Sequence, residues 1–140
     1  MESKKFNSPR VIDTLGMGVI SLLILQYVLG MYANLFVEIP EGTSGWAFVG
    51  NSSMLFSHIV VGLILSGFAV AHLIMSFRMK KTAWVFFSVI GLLSILAALF
   101  AGSVFMGEEA DSYSFIMAVG TGVSLLAYAA GIYYSAKHKE

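Results

Sequence analysis

Residues 52–77 read SSMLFSHIVVGLILSGFAVAHLIMSF, a run of small, aliphatic and aromatic residues without a single Asp, Glu, Lys or Arg. A helix crossing the ~30 Å hydrocarbon layer of a bilayer needs about 20 mostly apolar residues, so this run is long enough to span it. Three further runs of the same kind accompany it: Thr14 to Val37, Thr82 to Met106 and Ser112 to Ser135. The chain has 140 residues, 58% hydrophobic and 11% charged, with a mean hydropathy of +0.84, outside the range of water-soluble domains. The expected fold is all-α, a four-helix bundle integral to a membrane, with residues 1–140 forming one transmembrane domain and no separate soluble part. The first run is full length and leads into Glu38-Ile39-Pro40 rather than a small-residue cleavage site, so it reads as a span and not as a signal peptide.

Charge is sorted along the chain although the net charge is zero. Every Lys and Arg lies in the N-terminal arm (Lys4, Lys5, Arg10), between spans two and three (Arg78, Lys80, Lys81) or in the C-terminal tail (Lys137, Lys139). With four spans these three places share one side. The opposite side carries Glu38, Glu41, Glu108, Glu109 and Asp111 and no basic residue. The positive-inside rule then puts both termini in the cytoplasm and the chain in the plasma membrane as a multi-pass protein. The basic residues are dispersed, which excludes a nucleic-acid site. There is no cysteine, which excludes disulfide exchange, thiol catalysis and thiolate-held iron–sulfur clusters. The spans hold no carboxylate deeper than Asp13 at the basic edge, which argues against a proton-coupled carrier.

Spans one and two resemble spans three and four. Val19-Ile20-Ser21-Leu22-Leu23 matches Val89-Ile90-Gly91-Leu92-Leu93, and after a two-residue shift Leu29-Gly30 meets Ala101-Gly102. Ser53 to Val60 lies over Ser112 to Val119, which makes His58 and Met117 equivalent. Two copies of one hairpin, both starting on the basic side, are related by an axis along the membrane normal. The outer loops differ: one runs from Glu38 to Asn51 with Pro40, Gly42, Gly45, Trp46 and Gly50, and the other is Gly107 to Asp111. The longer loop reads either as a cap over a site or as an interfacial segment anchored by Trp46.

Ionisable groups inside a span are costly, and two stand clearly within one: His58 and His72. Fourteen residues apart, they share a helix face with ~21 Å between them along the axis. This spacing resembles the bis-haem helices of the cytochrome b class. Haem b needs an axial ligand from each of two facing helices, and His with Met is an accepted pair. His58 and Met117 lie at similar depth, and Gly30 and Gly102 near the same level give the clearance a flat macrocycle needs. A metal held there would therefore be haem iron, ligated by His58 and Met117. His72 has no evident partner, since its repeat counterpart is Gly131; it hydrogen-bonds within the bundle, touches a quinone, or holds a second, less favoured haem. No basic residue is available to haem propionates on the outer side, where Asn51, Ser52, Ser53, Trp46 and Tyr113 are the neutral donors. Gln26, Asn34, Tyr27 and Tyr32 on span one read as interhelical hydrogen bonding or as the wall of a quinone pocket.

Leu25-Gln26-Tyr27-Val28-Leu29-Gly30 in span one, an outer loop with Pro40, and His58 near the outer start of span two resemble one half of a haem A synthase. The resemblance implies four helices with one haem between the second and fourth, on the outer side. His58 matches the first ligand, and Met117 stands where the second histidine is expected. Leu55 occupies the place of the family's catalytic glutamate, so the resemblance implies haem binding with electron transfer and not methyl-group oxidation. Two functional readings follow. One is a small b-type membrane cytochrome, quinol-linked, with the lipid bilayer as its medium. The other is a cofactor-free accessory or assembly subunit of a respiratory or other membrane complex. Small-residue stripes such as Gly62, Ser66 and Ala69 suit packing within the fold, against other membrane subunits or in a homo-oligomer.

Overall fold

The computed structural model describes residues 9–108 and 111–138, with backbone alone at Pro9, Arg10 and Glu108. Lys4, Lys5, Glu109 and Lys139 of the charge pattern lie outside the described residues. The chain is an all-α membrane bundle of four long helices: α1 (Pro9–Phe36), α3 (Ser53–Arg78), α4 (Thr82–Glu108) and α5 (Asp111–Lys137), with a single-turn helix α2 (Gly45–Phe48) between the first two. All four long helices are long and apolar enough to cross a membrane. Their boundaries fall within a few residues of the apolar runs, because the signals that end the runs also end the helices.

Ser52, in extended conformation, caps α3 by accepting the Leu55 amide at 3.3 Å. At the other end of α3 the Lys80 amide bonds the Phe77 carbonyl (3.1 Å) and the Lys81 amide bonds the Ser76 carbonyl (3.3 Å), with Lys80 at φ 53°. This is the Schellman pattern, with a lysine where the left-handed position normally takes glycine. It turns the chain straight into α4. After α1, Pro40 cannot continue a helix and Gly42 takes φ 77°. Ser44 then caps α2 by accepting the Ala47 amide at 3.3 Å. Sequence reading gave this segment as loop; one turn of helix is stable there because the cap and the packing of Gly45 on Met106 hold it.

The four long helices form a ring. α1 packs against α3 and α5, α4 packs against the same two, and the pairs α1/α4 and α3/α5 stand across the diagonals. A twofold axis along the bundle requires this arrangement if α1–α3 and α4–α5 are copies. Burial supports the repeat with constant offsets. An offset of 72 residues carries the buried residues Ile12, Gly16, Val19 and Leu23 onto the buried residues Trp84, Ser88, Gly91 and Ile95. An offset of 59 carries Leu65, Ala69 and His72 onto Ser124, Tyr128 and Gly131, again all buried. Val19 thus corresponds to Gly91 rather than to Val89, and the two-residue shift of the sequence alignment disappears. Side-chain identity misled there because apolar residues interchange freely, whereas the spacing of the buried stripe does not.

Each bundle end has its own character. At the terminal end, with the start of α1, the end of α5 and the α3–α4 turn, aromatic rings pack onto glycines among the described residues. The Trp84 indole lies over Gly131 and Gly16, and the Tyr128 ring lies over Gly91, so closely that a methyl group on Gly131 or Gly91 would overlap the ring. The duplicated positions have traded volume: Trp84 faces space that Gly16 and Gly131 give up. Core density is preserved by pairing large residues with small ones.

Candidate functional site in the loop-end half

The loop-end half of the bundle encloses a cavity of about 530 Å³ to which all four long helices contribute. This lies within the ~300–1,000 Å³ of ordinary organic-ligand sites. His58 and Met117 line it from the diagonal pair α3 and α5, and Gly30 and Gly102 line it from the diagonal pair α1 and α4. The offsets of the repeat relate these residues two by two, and their contacts follow the same relation. A Cβ on Gly30 would sit 2.9 Å from His58 Cε1, and a Cβ on Gly102 would sit 3.0 Å from Met117 Sδ. Each glycine is therefore the hollow that receives the polarisable side chain of its own hairpin partner.

Gln26 joins the site one turn before Gly30. Its Nε2 lies 3.2 Å from His58 Nε2. An amide NH2 only donates, so as placed it gives a hydrogen to Nε2 and the ring proton belongs on Nδ1. Nδ1 of His58 and Oε1 of Gln26 are both buried and both lack a partner. Buried polar groups are normally satisfied; His72 Nε2, Trp84 Nε1 and the Tyr128 hydroxyl are also buried without a partner, and what sets the Gln26–His58 pair apart is that it borders the cavity. Turning the Gln26 amide over lets Oε1 accept the Nε2 proton and leaves the Nδ1 lone pair free to bind an electrophile. Gly62 makes room for this pair, since a Cβ there would lie 3.0 Å from Gln26 Nε2.

Around the mouth, Ser114 donates to Asn34 Oδ1 at 3.1 Å and ties α5 to α1. Tyr27, Trp46, Ser103, Asp111 and Thr121 are the other polar residues of the lining. The Trp46 indole N–H donates to the Ser103 carbonyl at 3.2 Å, which latches α2 onto α4. The longer loop is thus a cap, and Trp46 is part of it. Asn51, Ser52, Ser53 and Tyr113, the other neutral donors expected near the site, do not line the cavity, and Tyr32 is exposed with its ring against Phe36. Among the described residues, no Lys or Arg lines it.

His72 belongs to the other half. It is fully buried, its Nδ1 lies 2.8 Å from Ser88 Oγ, and its ring meets Trp84 and Tyr128 edge-on at centroid distances of 4.7 and 5.2 Å. Ser88 gives its one proton to the Trp84 carbonyl, so Nδ1–H of His72 is the donor to Ser88. Ser76 donates to the His72 carbonyl at 2.8 Å and lies 3.1 Å from Ser88 Oγ. This cluster links α3 to α4 at the terminal end, and Ser135 donating to Asp13 at 3.0 Å links α5 to α1 there.

Among the described residues, no three His, Cys, Asp or Glu side chains come together as ligands for a bare metal ion. The soft donors in the lining are the His58 imidazole and the Met31, Met106 and Met117 thioethers, of which His58 and Met117, on the diagonal helices α3 and α5, would be the pair to hold a macrocycle between them. His58 and Met117, seated against Gly30 and Gly102, would hold haem in this cavity; its carboxylates would meet no cation among the described lining residues, and Asp111 stands in the lining. The expected interhelical hydrogen bonding of Gln26 is found, but His58 as its partner was not legible, since it lies on another helix. No protein-family model, no curated protein and no solved structure matches this chain, so its function is argued from its own geometry.

Proposed function

We propose that this protein is a small b-type membrane cytochrome that holds one haem in the loop-end cavity, with His58 and Met117 as axial ligands, and passes electrons. The observation that carries this reading is the orphaned Gln26–His58 pair, whose free ring nitrogen shares one cavity with the Met117 thioether. Gly30 and Gly102 make room for the His58 and Met117 side chains, and Gln26 orients the imidazole through the ring nitrogen that does not ligate, as partners of ligating histidines generally do. Haem, when bound, supplies one-electron chemistry, and a thioether ligand favours a high potential. The apolar wall excludes water. Sorted charge supports a cytoplasmic location for both termini, which places the cavity towards the outer leaflet, and an uncharged quinol is the donor class that suits such a setting.

The visible spectrum of the purified protein, reduced minus oxidised, tests the reading. A Soret band that His58→Ala abolishes and Met117→His retains, at a lower potential, is the expected result. Absence of any Soret band after expression with ample haem ends the cytochrome reading and leaves the accessory-subunit reading. His72→Ala is expected to leave the haem-to-protein ratio unchanged, because His72 bonds Ser88 and stands outside the cavity.

A further inference from the structure

We infer that the cavity takes its occupant from the bilayer, through a side window between α1 and α5, and not from water at the loop end. Haem as the occupant rests on the function proposed above; the route does not. The floor is closed by the buried side chains of Leu23, Leu65 and Ile95, with the Trp84 and Tyr128 layer beyond them. The roof is the segment from Val37 to Asn51, which starts on α1 and reaches α4. There Gly45 is buried against Met106 and Trp46 is hydrogen-bonded to Ser103, before the chain returns to α3.

The sides remain. Within each hairpin the seam is filled: His58 sits in the Gly30 hollow and Gln26 against Gly62, while Met117 sits in the Gly102 hollow and Ala98 against Gly120. Between the hairpins there are two seams, equivalent under the repeat. At the α3–α4 seam, Leu63 and Leu99 line the cavity and are also exposed on the lipid side, so two leucines stand in the opening. The same offsets carry Leu99 onto Tyr27 and Leu63 onto Gly122 at the α1–α5 seam. Tyr27 lies two helical turns before Asn34, on the face that meets Ser114 of α5; it lines the cavity and is 50% exposed. Gly122 has nothing within 4 Å of the place a Cβ would take. Gly122 borders this seam without lining the cavity; one turn before it Ala118 lines the cavity and is exposed, where the other seam has Ile59, so α5 presents small side chains at this seam. The Asn34–Ser114 and Asp13–Ser135 hydrogen bonds pin the two helices above and below the gap, so the window is a fixed opening and not a splayed end. A flat amphiphile dissolved in the membrane enters ring-first here and meets His58 and Met117 without crossing the roof.

The chain has no cysteine, so a single Thr121→Cys places one thiol on the cavity wall beside the window. In proteoliposomes, an uncharged lipid-soluble maleimide is expected to label this thiol, and a sulfonated membrane-impermeant maleimide is not. Adding Gly122→Leu is expected to slow labelling by the uncharged reagent several-fold, and adding Trp46→Ala is expected to leave it unchanged. Labelling by the sulfonated reagent at a comparable rate, labelling by neither reagent in the folded variant, or indifference to Gly122→Leu each overturns the route. With haemin preloaded in the vesicles, Gly122→Leu is expected to delay the Soret band without lowering its final height. No Soret band in the parent protein overturns the haem assignment alone, because the thiol measurement does not involve haem.

Discussion

The two halves of this bundle spend their glycines in opposite ways. At the terminal end, Gly16, Gly91 and Gly131 receive the Trp84 and Tyr128 rings, and the space they vacate is filled. At the loop end, Gly30, Gly62 and Gly102 face His58, Gln26 and Met117, and a cavity of about 530 Å³ remains. Both halves derive from the same helix pairs at the same offsets, so the difference lies in side-chain volume alone. Aromatic residues opposite glycine give a close-packed brace; slender polarisable residues opposite glycine give a hollow with donors on its wall. One half is thus close-packed around its glycines, and the other keeps a hollow beside them.

The largest effect is expected where the brace is emptied. Trp84→Ala removes a side chain 3% exposed and is expected to cost about 3–5 kcal/mol in reversible unfolding in mixed micelles, the range for large aromatic truncations. A second hollow beneath the first is the outcome that would abolish the contrast between the halves; an unchanged midpoint would show that the brace contributes nothing.

Next come the glycines themselves. Gly131→Ala drives a methyl into the Trp84 ring, between two packed helices, and is expected to cost ~1–3 kcal/mol, as overpacking does. Combined with Trp84→Leu, the methyl has room, and the double variant should be more stable than the sum of the two single changes implies, a coupling read by a double-mutant cycle. Gly30→Ala instead pushes on His58 Cε1, whose ring borders empty space, so its unfolding cost should fall below that of Gly131→Ala while haem binding is lost. Reversal of these two rankings would break the comparison outright.

Smaller effects sharpen it. Ser124 donates to the Gly120 carbonyl at 2.8 Å and to the Gly91 carbonyl at 3.1 Å; Ser124→Ala is expected to lower stability by about 0.6 kcal/mol, typical of interhelical hydrogen bonds in bilayers. Gly67 has nothing near its missing Cβ, and Gly67→Ala should change stability by less than ~0.5 kcal/mol, as exposed substitutions do. A large effect there would mean that another helix, from a second copy or another subunit, covers that face.

Much of this was written in the chain. The four helices could be read because a bilayer demands about 20 apolar residues per crossing and tolerates few exceptions. Equivalence of His58 with Met117, and of Gly30 with Gly102, followed from the repeat, since each pair shares one offset. Hydrogen bonding within the bundle was among the readings of His72, but its partner was not legible: Ser88 lies on the next helix, and nothing local distinguishes that serine from Ser94 or Ser103. Trp84 was likewise absent from the reading, because an aromatic residue near a helix start looks like an interfacial anchor until the glycine opposite it is known.

The sequence by itself determined the number of spans and their order, because hydrophobic length and periodicity act through each segment's own solvent. Tertiary structure alone decided which half is filled and which is hollow, that Gln26 meets His58, that Trp46 bonds Ser103, and which seam is left open. Those outcomes depend on the volumes and hydrogen-bonding groups of residues on different helices, and such pairings exist only once the helices have been brought face to face.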